Sequence, residues 1–450
     1  MLMEECGVFG VVLKNNENSI PFVIEGLIAL QHRGQESAGI AYVSNNEIKV
    51  HKRMGMVIDV FENYNKMFSD LAIGHVRYST KGKSDIQNAQ PFHVRYKNEH
   101  FAIAHNGQIE NAETLRKELE ENGTIFLTDS DTELILHILI KNINKDISKW
   151  TIEEISKTIF QYIRPSYSLL LLFKDKLIAI RDKYGYRPLY YYISESGYYI
   201  SSEDSGFNFL DPNNANIFEV LPGEAIEFSK SGIKKFKIPT KEKKYCFFEH
   251  IYFARPDSNI FGRNVHLTRE DLGRICAIEN PVEADIVVPV LDSGLSAALG
   301  YSKESKIPIE LGLMRNRYVG RTFIAPNQKD REIGVKRKLP PISKVIEGKR
   351  IILVDDSIVR GTTMKNIVSM LRKSGASEIH IRVSSPKVIN TCHWGVDIPK
   401  KEDLIAYKLS LKELKDELKA DSIGYVSING IKKILKEEFN YYCLNCFKNN

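Results

Sequence analysis

The stretch IILVDDSIVRGTT, residues 351–363, limits the possible folds of the chain more than any other. It begins with four apolar residues, continues with Asp355 and Asp356, and turns through small polar residues into a helical pattern. A short apolar strand followed by a helix is typical of a parallel sheet covered on both faces. Ligands bind at the carboxyl ends of such strands, and a helix that begins there offers backbone N–H groups to a phosphate. The stretch therefore predicts a doubly wound α/β domain with a phosphate site.

Other phosphate-binding motifs fit this region less well. An ATPase would need G-x-x-x-x-G-K-[ST] upstream, and the sequence has neither that motif nor GxGxxG. A purely structural alternative is that the two carboxylates only cap the following helix. The whole thirteen-residue context instead resembles the type I phosphoribosyltransferases, whose signature combines this strand, the acid pair and the phosphate loop.

The resemblance implies that 5-phosphoribosyl-1-pyrophosphate (PRPP) binds here together with Mg²⁺. Asp355 and Asp356 would hold the ribose hydroxyls, directly or through Mg²⁺. A second turn, Asp292-Ser293-Gly294, lacks large side chains, so its backbone amides can approach a pyrophosphate. The expected PRPP-binding residues are Asp355, Asp356, Ser357, Arg360, Gly361, Thr362 and Thr363, and the expected Mg²⁺ ligands are Ser293, Asp355 and Asp356.

The two halves of the chain have different patterns. Up to about residue 228, short alternating apolar runs are interspersed with helical segments, which favours antiparallel sheets packed under helices. Residues 229–245 contain seven lysines and few core residues, and we interpret them as an exposed linker. Beyond them, buried strands each lead into a helix. We expect an α+β domain over 6–235 and an α/β domain with a helical tail over 246–450.

Composition excludes several classes of protein. The net charge of +6 is mild for 450 residues and does not demand nucleic acid. The longest central apolar stretch, SYSLLLLF, is far too short to span a membrane. MLMEE, before Cys6, has no basic residue and no apolar core, unlike a signal peptide. Six scattered cysteines argue against a secreted disulfide framework. We expect a cytoplasmic protein with small-molecule substrates and neither nucleic-acid nor membrane partners.

Polar residues beside glycine recur in the first half, at residues 30–40, 74–82, 104–111 and 128–135. They offer a cysteine nucleophile, an arginine that can clamp a carboxylate, an Asn-Gly pair for an oxyanion hole, and an acid for an ammonium group. Taken singly, an ion pair, a hairpin turn and a helix cap explain the same residues. Together they match an α-amino acid whose side-chain amide is cleaved.

With Cys6, these segments resemble the glutamine-hydrolysing domain of class II amidotransferases, which has the N-terminal-nucleophile fold, an αββα sandwich of antiparallel sheets. The resemblance covers about residues 6–228. It implies that Cys6 is the nucleophile, Arg77 binds the glutamine carboxylate, and Asp131 binds its amine. Asn106 and Gly107 would form the oxyanion hole. Pro165-Ser166 stands where the family commonly has Gly-Ala.

A glutaminase domain followed by a phosphoribosyltransferase domain resembles the glutamine phosphoribosylpyrophosphate amidotransferases over nearly the whole chain. That family implies formation of 5-phosphoribosylamine, glutamate and pyrophosphate from glutamine, PRPP and water, with internal transfer of ammonia, as the first step of purine synthesis. It also implies one Mg²⁺ per subunit, a homotetramer and feedback inhibition by purine nucleotides. Two rivals are a regulator that only senses PRPP and another class II amidotransferase, such as the hexosamine-forming one.

Four cysteines match the cluster-bearing, propeptide-bearing branch of this family. The resemblance implies that they ligate one [4Fe–4S] cluster per subunit, although four thiolates also suit structural zinc. Their contexts are imperfect, since TCHWGVD replaces the usual sequence at 391–397. Cys276 is expected to be a core residue. The expected cluster ligands are Cys246, Cys392, Cys443 and Cys446.

Two further segments carry expectations. Residues 315–338 hold eight basic and two acidic residues, which favours a lid over a polyanionic substrate rather than a passive loop. Residues 1–5 would block the α-amino group of Cys6, which in this fold is the general base. We therefore expect residues 1–5 to be a propeptide, the alternative being a misassigned start codon.

Overall fold

The computed structural model describes residues 6–78, 85–210, 215–240, 242–316, 339–396, 398 and 400–448. The expected propeptide, residues 1–5, lies outside the described residues. So does the expected lid, apart from residues 315 and 316.

The first half of the chain forms two antiparallel sheets. The first sheet has the strand order β11-β9-β10-β1-β4-β2-β3 and the second has the order β13-β12-β8-β7-β6-β5. The strands are β1 Gly7–Leu13, β2 Ser37–Ser44, β3 Glu47–Met54, β4 Leu71–Arg77, β5 Phe92–Tyr96, β6 Glu99–Gly107, β7 Tyr167–Leu172, β8 Lys176–Arg181, β9 Tyr190–Ile193, β10 Gly197–Ser201, β11 Ile217–Glu219, β12 Glu224–Ser229 and β13 Gly232–Lys237. The helices are α1 Ile20–Ala29, α2 Val57–Val60, α3 Ala112–Glu121, α4 Thr132–Asn142 and α5 Ile152–Tyr162.

These elements stack in four layers. One apolar cluster joins the two sheets face to face, through residues such as Val8, Ala104 and Leu170. A second cluster packs α1 on the outer face of the first sheet, and a third packs α3, α4 and α5 on the outer face of the second. Strands buried on both faces must be apolar at nearly every position, as β7 is. The expected αββα sandwich is confirmed.

The expectation of a linker over 229–245 is wrong for residues 232–237. These residues form β13, the edge strand of the second sheet, in antiparallel register with β12. Ile233 and Phe236 pack against the cores while the intervening lysines are exposed. Lysine-rich strands are typical of sheet edges, where charge prevents pairing with another chain. The lysine content therefore marked an edge strand rather than an unstructured connection.

The second half contains a parallel sheet in the order β17-β18-β19-β20. Two strand pairs, β14-β21 and β15-β16, stand outside this sheet. The strands are β14 Tyr245–Cys246, β15 Asn259–Ile260, β16 Arg263–Asn264, β17 Ile286–Pro289, β18 Arg350–Asp355, β19 Glu378–Val383, β20 Ser422–Tyr425 and β21 Tyr442–Cys443. The helices are α6 Val265–Glu279, α7 Leu295–Ser305, α8 Ser343–Ile346, α9 Thr362–Lys373, α10 Ile405–Lys408, α11 Leu411–Leu418 and α12 Ile428–Leu435.

Helices cover both faces of the parallel sheet. Apolar residues of α9 and α11 pack on one face, and those of α6, α7 and α12 pack on the other. The sheet is therefore doubly wound, which confirms the expected α/β class. The fourth strand, β20, was missed in the sequence because Ser422–Tyr425 is short and follows a Lys- and Glu-rich helix. Within the described residues, no helix is both long and apolar enough to cross a bilayer.

Candidate functional site

Asp355 and Asp356 lie at the carboxyl end of β18, a central strand of the parallel sheet. Their exposed fractions are 8% and 5%. Burial, and then the charge of Asp356, raise the pKa of Asp355 well above its usual range. Burial also raises the pKa of Asp356, against the lowering effects of the Ser293 and Ser357 hydroxyls and of Arg269. Two adjacent buried carboxylates of this kind favour a bound cation.

The loop after the acid pair leads directly into α9. Gly361 has φ of +77°, and a Cβ there would lie 2.5 Å from Ile405, so both the backbone conformation and the packing favour glycine. Arg360 and Thr362 are exposed at the start of the helix, and Thr363 is half-buried. The turn thus combines accessible polar groups with the N-terminus of a twelve-residue helix.

The turn after β17 reaches the same edge of the sheet. The Ser293 hydroxyl donates to Asp355 Oδ1 at 3.5 Å. Arg269, on α6, is buried, and burial lowers its pKa to about 10 despite the opposing charge of Asp356. Arg269 also donates to the carbonyl of His250 at 2.7 Å. Sequence reasoning missed Arg269 because it lies in an ordinary helical pattern far from residues 351–363.

Cys6 immediately precedes β1 and is half-buried. Its thiol donates to the carbonyl of Tyr78 at 3.6 Å. Burial raises the pKa of Cys6 to about 11, while the charge of Arg77 lowers it and those of Glu36 and Asp131 raise it. The structure therefore brings the expected nucleophile, Arg77 and Asp131 into one site, although they come from three separate segments. Because the thiol is protonated at neutral pH, the nucleophile needs a base.

Asn106 and Gly107 end β6 beside this site. The Asn106 amide donates to the Ser202 hydroxyl at 3.4 Å, and the same hydroxyl accepts from the backbone of Val8 at 2.9 Å. Among the described residues, Asn106 Oδ1 has no hydrogen-bond partner although it is buried. Gly107 has φ of +142°, and a Cβ there would lie 2.4 Å from the carbonyl of Ser166. Ser202 was not among the expected site residues.

Two ionic contacts hold Arg77 and Asp131, the residues expected to bind the amino acid. The Arg77 guanidinium pairs with Glu36, and both side chains are largely buried. Asp131, just before α4, accepts a hydrogen bond from the backbone of Ile109 at 2.9 Å. Its other oxygen lies 3.6 Å from the His105 ring. Neighbouring groups therefore fix the positions of the Arg77 guanidinium and the Asp131 carboxylate, whose charges both act on the Cys6 thiol.

Four cysteines lie where the two halves meet. Cys246 and Cys443 pair across β14 and β21, and the backbone carbonyl of Cys446 accepts from Ile389 at 2.9 Å. Burial, and then the charges of Cys392, Cys246 and Cys443, raise the pKa of Cys446 well above its usual range. The four thiols are therefore neighbours. Within the described residues, however, no three His, Cys, Asp or Glu side chains are arranged to hold a metal ion. Cys276, in contrast, is fully buried on α6 among core residues.

A buried ionic network joins the two halves near Cys6. Glu203 accepts from His32 at 2.7 Å, from Arg33 at 2.6 Å and from the Ser258 hydroxyl at 2.6 Å. Burial raises the pKa of Glu203, but these contacts together hold it well below its usual range. Tyr252 belongs to the same segment of the second half as Ser258. Burial is the main cause of the raised pKa of Tyr252. The charges of Asp356 and Asp355 and the Tyr78 phenol raise this pKa further.

Two family models match separate parts of the chain. A glutamine amidotransferase domain matches residues 75–208, and a phosphoribosyl transferase domain matches residues 277–391. The amidophosphoribosyltransferase of Methanocaldococcus jannaschii is 44% identical over 459 aligned residues, which cover 98% of this chain and 96% of that protein. This chain belongs to the amidophosphoribosyltransferase family.

Other members support the same assignment. The amidophosphoribosyltransferase of Bacillus subtilis is 41% identical, over 99% of this chain and 94% of that protein. The solved structure of the B. subtilis glutamine PRPP amidotransferase, complexed with ADP and GMP, superposes with a TM-score of 0.89 at 40% identity, covering 98% of this chain and 96% of that one. The resemblance to this family inferred from the sequence is thus confirmed, whereas its cluster-bearing, propeptide-bearing branch stays a prediction. As an amidophosphoribosyltransferase the chain is an enzyme, a pentosyltransferase of purine biosynthesis, and both rivals are excluded.

Proposed function

We propose that the chain hydrolyses glutamine at Cys6 and passes the ammonia to PRPP held at residues 355–363. The products are 5-phosphoribosylamine, glutamate and pyrophosphate. The proximity of the two sites carries this proposal. The Tyr78 carbonyl contacts the Cys6 thiol, while Tyr252, across the junction, lies within electrostatic reach of Tyr78 and of Asp355 and Asp356. We assign the two reactions to domains 6–235 and 246–450.

The glutamine reaction begins with attack of Cys6 Sγ on the side-chain amide carbon. Arg77 binds the glutamine carboxylate and Asp131 binds its ammonium group. The Asn106 amide and the Gly107 backbone N–H stabilise the oxyanion. The free α-amino group of Cys6 accepts the thiol proton and returns it to the departing ammonia. Water then hydrolyses the thioester to glutamate. The thiol pKa of about 11 supports the need for that amine.

Ammonia then attacks C1 of PRPP, and pyrophosphate leaves with the bonding electrons. Ser357 and the turn formed by Arg360, Gly361, Thr362 and Thr363 bind the 5-phosphate. Positioning and charge stabilisation supply most of the catalysis for such a step. The lid expected over 315–338, which we retain as a proposal, would exclude water so that ammonia stays unprotonated.

The acid pair fits a hard cation. Ser293, Asp355 and Asp356 supply only oxygen atoms, which Mg²⁺ prefers, and burial raises the pKa of both carboxyls, which supports a bound cation that would stabilise their ionised forms. When bound, one Mg²⁺ per subunit would neutralise part of the pyrophosphate charge. Ser293, Asp355 and Asp356 are the residues that would hold it.

The four junction cysteines supply the donor atoms of a sulfur-ligated group, although within the described residues their side chains are not arranged around a metal ion. Cys246 and Cys446 are buried and Cys392 and Cys443 are half-buried, and four thiols from three segments are the donor set of a [4Fe–4S] cluster, with zinc as the alternative. Bound there, either group would connect the end of the chain to the junction. A reducing, cytoplasmic compartment suits such thiols.

Regulation is proposed from the relatives. One solved relative carries ADP and GMP, and another is described as the allosteric regulatory enzyme of purine biosynthesis. We therefore propose feedback inhibition by purine nucleotides, with glutamine and PRPP as the substrates. The homotetramer implied by the sequence resemblance stays a proposal.

The function is tested with purified enzyme, glutamine, PRPP and Mg²⁺. We expect glutamate and pyrophosphate in equal amounts, and glutamine hydrolysis that is faster with PRPP than without it, because closure around PRPP completes the ammonia path. Ribose 5-phosphate, which lacks the pyrophosphate, is the control and should not stimulate. Pyrophosphate release without glutamate formation would contradict the coupling of the two sites.

A single mass measurement tests the N-terminus and the cysteine-bound group. For anaerobically purified enzyme, we expect a denatured mass that begins at Cys6, because only a free amine on Cys6 can act as the base. The native mass per subunit should exceed it by four irons and four sulfides. An active enzyme that retains residues 1–5 would refute the propeptide, and a native excess of one zinc would refute the cluster.

A further inference from the structure

Residues 390–396, here called the cysteine loop, contain Cys392 and lie against the glutaminase half. The carbonyl of Trp394 accepts from the Ser166 hydroxyl at 2.6 Å and from the Arg187 guanidinium. The Trp394 ring stacks on Tyr186 with centroids 5.3 Å apart and planes 10° apart. Cys392 Sγ in turn accepts from the Trp394 backbone at 3.3 Å. Cys392 is thus attached to the first half of the chain through Trp394.

Arg187 continues this contact towards the nucleophile. Its guanidinium also lies 3.4 Å from Glu249 Oε1. The Glu249 carboxylate accepts two hydrogen bonds from Arg33, at 2.9 and 3.0 Å. Arg33 Nε then donates to the backbone carbonyl of Cys6 at 3.1 Å. A continuous series of contacts therefore joins the cysteine loop to the nucleophile.

Burial makes this series energetically sensitive. Arg187 and Glu249 are 0% exposed, and Arg33 is 1% exposed. Charged hydrogen bonds in a dry interior are strong and directional, and a partner left unpaired there is costly. Arg187 also lies close to two of the cysteines, because its charge acts on both Cys392 and Cys443. Arg187 thus contacts both the Trp394 carbonyl of the cysteine loop and the Glu249 carboxylate.

We propose that Arg187 is a positioning residue for glutamine hydrolysis, which couples the order of the cysteine loop to the placement of Cys6. While the cysteine loop is ordered, its Trp394 carbonyl fixes one side of the Arg187 guanidinium, so that Arg187 holds Glu249, Glu249 holds Arg33, and Arg33 holds the Cys6 carbonyl. When the loop loosens, this support weakens. The inference rests on the proposed function, because it takes Cys6 as the nucleophile.

The first test compares Arg187→Gln with Arg181→Gln in the full-length enzyme. Arg181 is a matched control, being 0% exposed and paired with Glu219 in the same half, but it does not contact the cysteine loop in the described residues. For Arg187→Gln we expect kcat for glutamine hydrolysis to fall about 100-fold, the scale of a small misplacement of a catalytic group, with KM little changed. Product formation from added ammonia should stay within about twofold of wild type, because that reaction bypasses Cys6.

The second test measures Cys6 itself. In the enzyme as purified, alkylation of Cys6 by a chloroketone analogue of glutamine should be about tenfold slower in Arg187→Gln than in wild type, a common size for coupling between sites. In Arg181→Gln the alkylation rate should equal that of wild type. Arg187→Lys keeps the charge but lacks the planar fork, so it should fall between wild type and Arg187→Gln. If Arg187→Gln does not fold, Arg187→Lys replaces it in both tests.

The outcomes separate the inference from the proposed function. Equal losses of glutamine- and ammonia-dependent activity in both arginine variants would reduce Arg187 to a structural residue and overturn the inference. A Cys6 labelling rate in Arg187→Gln equal to that of wild type would also overturn it. If Cys6→Ala in the same assay still hydrolyses glutamine, the proposed function itself fails, whatever the arginine variants do.

Discussion

Replacing Cys6 with serine is expected to lower glutamine-dependent product formation by a factor on the order of 10⁴ or more, while ammonia-dependent formation stays within about twofold. A serine hydroxyl is a much weaker nucleophile than a thiol when the base is an amine with a pKa near 8. The thiol is already hard to ionise, since burial raises its pKa to about 11. Initial rates of pyrophosphate release with glutamine or with ammonium chloride measure both activities.

The pH dependence of the wild-type enzyme follows from the transfer of the Cys6 thiol proton to the α-amino group. Because the Cys6 α-amino group must be neutral to act as the base, glutamine hydrolysis should fall as the pH drops below about 8. Cys276→Ser is the matched control, since Cys276 is a buried core thiol of the other half. It should change both activities equally, if at all. A Cys6→Ser enzyme that still uses glutamine at the wild-type rate would show that the nucleophile lies elsewhere.

The parts of the site that could be predicted are those whose signal is local in sequence. The acid pair and phosphate loop lie within thirteen residues, so one strand, one turn and one helix start define them. A shared site could be predicted for Cys6, Arg77, Asn106 and Asp131 only from the order of several short motifs. Each of these residues alone also fits a common structural role. Their shared location became visible only when β1, β4 and β6 were placed in two facing sheets.

The parts that could not be predicted depend on contacts between distant residues. Arg33 and Glu249 are separated by 216 positions, and nothing in either local sequence indicates a buried pair. Arg269 reaches the acid pair from a helix more than eighty residues upstream. The lysines of 232–237 suggested a linker because edge strands and linkers share the same composition, and only the pairing with β12 separates them.

The second large effect is expected for Asp355→Asn, which should change activity and stability in opposite directions. The acid pair holds Mg²⁺ and the ribose in the proposed mechanism, so both glutamine- and ammonia-dependent activities should fall about 10³-fold, the scale of losing one preorganised charge. This pattern differs from that of Cys6→Ser, which spares ammonia. Initial rates of pyrophosphate release with each nitrogen source distinguish the two variants.

The stability change has the opposite sign because the pKa of Asp355 is raised. Burial and the charge of Asp356 raise it in the folded state, so ionisation of Asp355 destabilises the fold as pH rises through the folded pKa. In the wild type, the Asp356 backbone N–H donates a hydrogen bond to Asp355 Oδ1 at 2.9 Å. Asparagine is neutral, and its side-chain oxygen can still accept this hydrogen bond. Without Mg²⁺ at neutral pH, Asp355→Asn should therefore raise the thermal midpoint.

Asp285→Asn provides the mirror control at the opposite end of the same sheet. Hydrogen bonds from Arg350 hold the pKa of Asp285 below its usual range, so its ionised form favours the folded state above the unfolded pKa. Its replacement should lower the midpoint slightly and leave both activities intact. If Asp355→Asn instead lowers the midpoint in metal-free buffer and Asp285→Asn does not, the acid pair is stabilising as it stands, and its role as an uncompensated cation site is wrong.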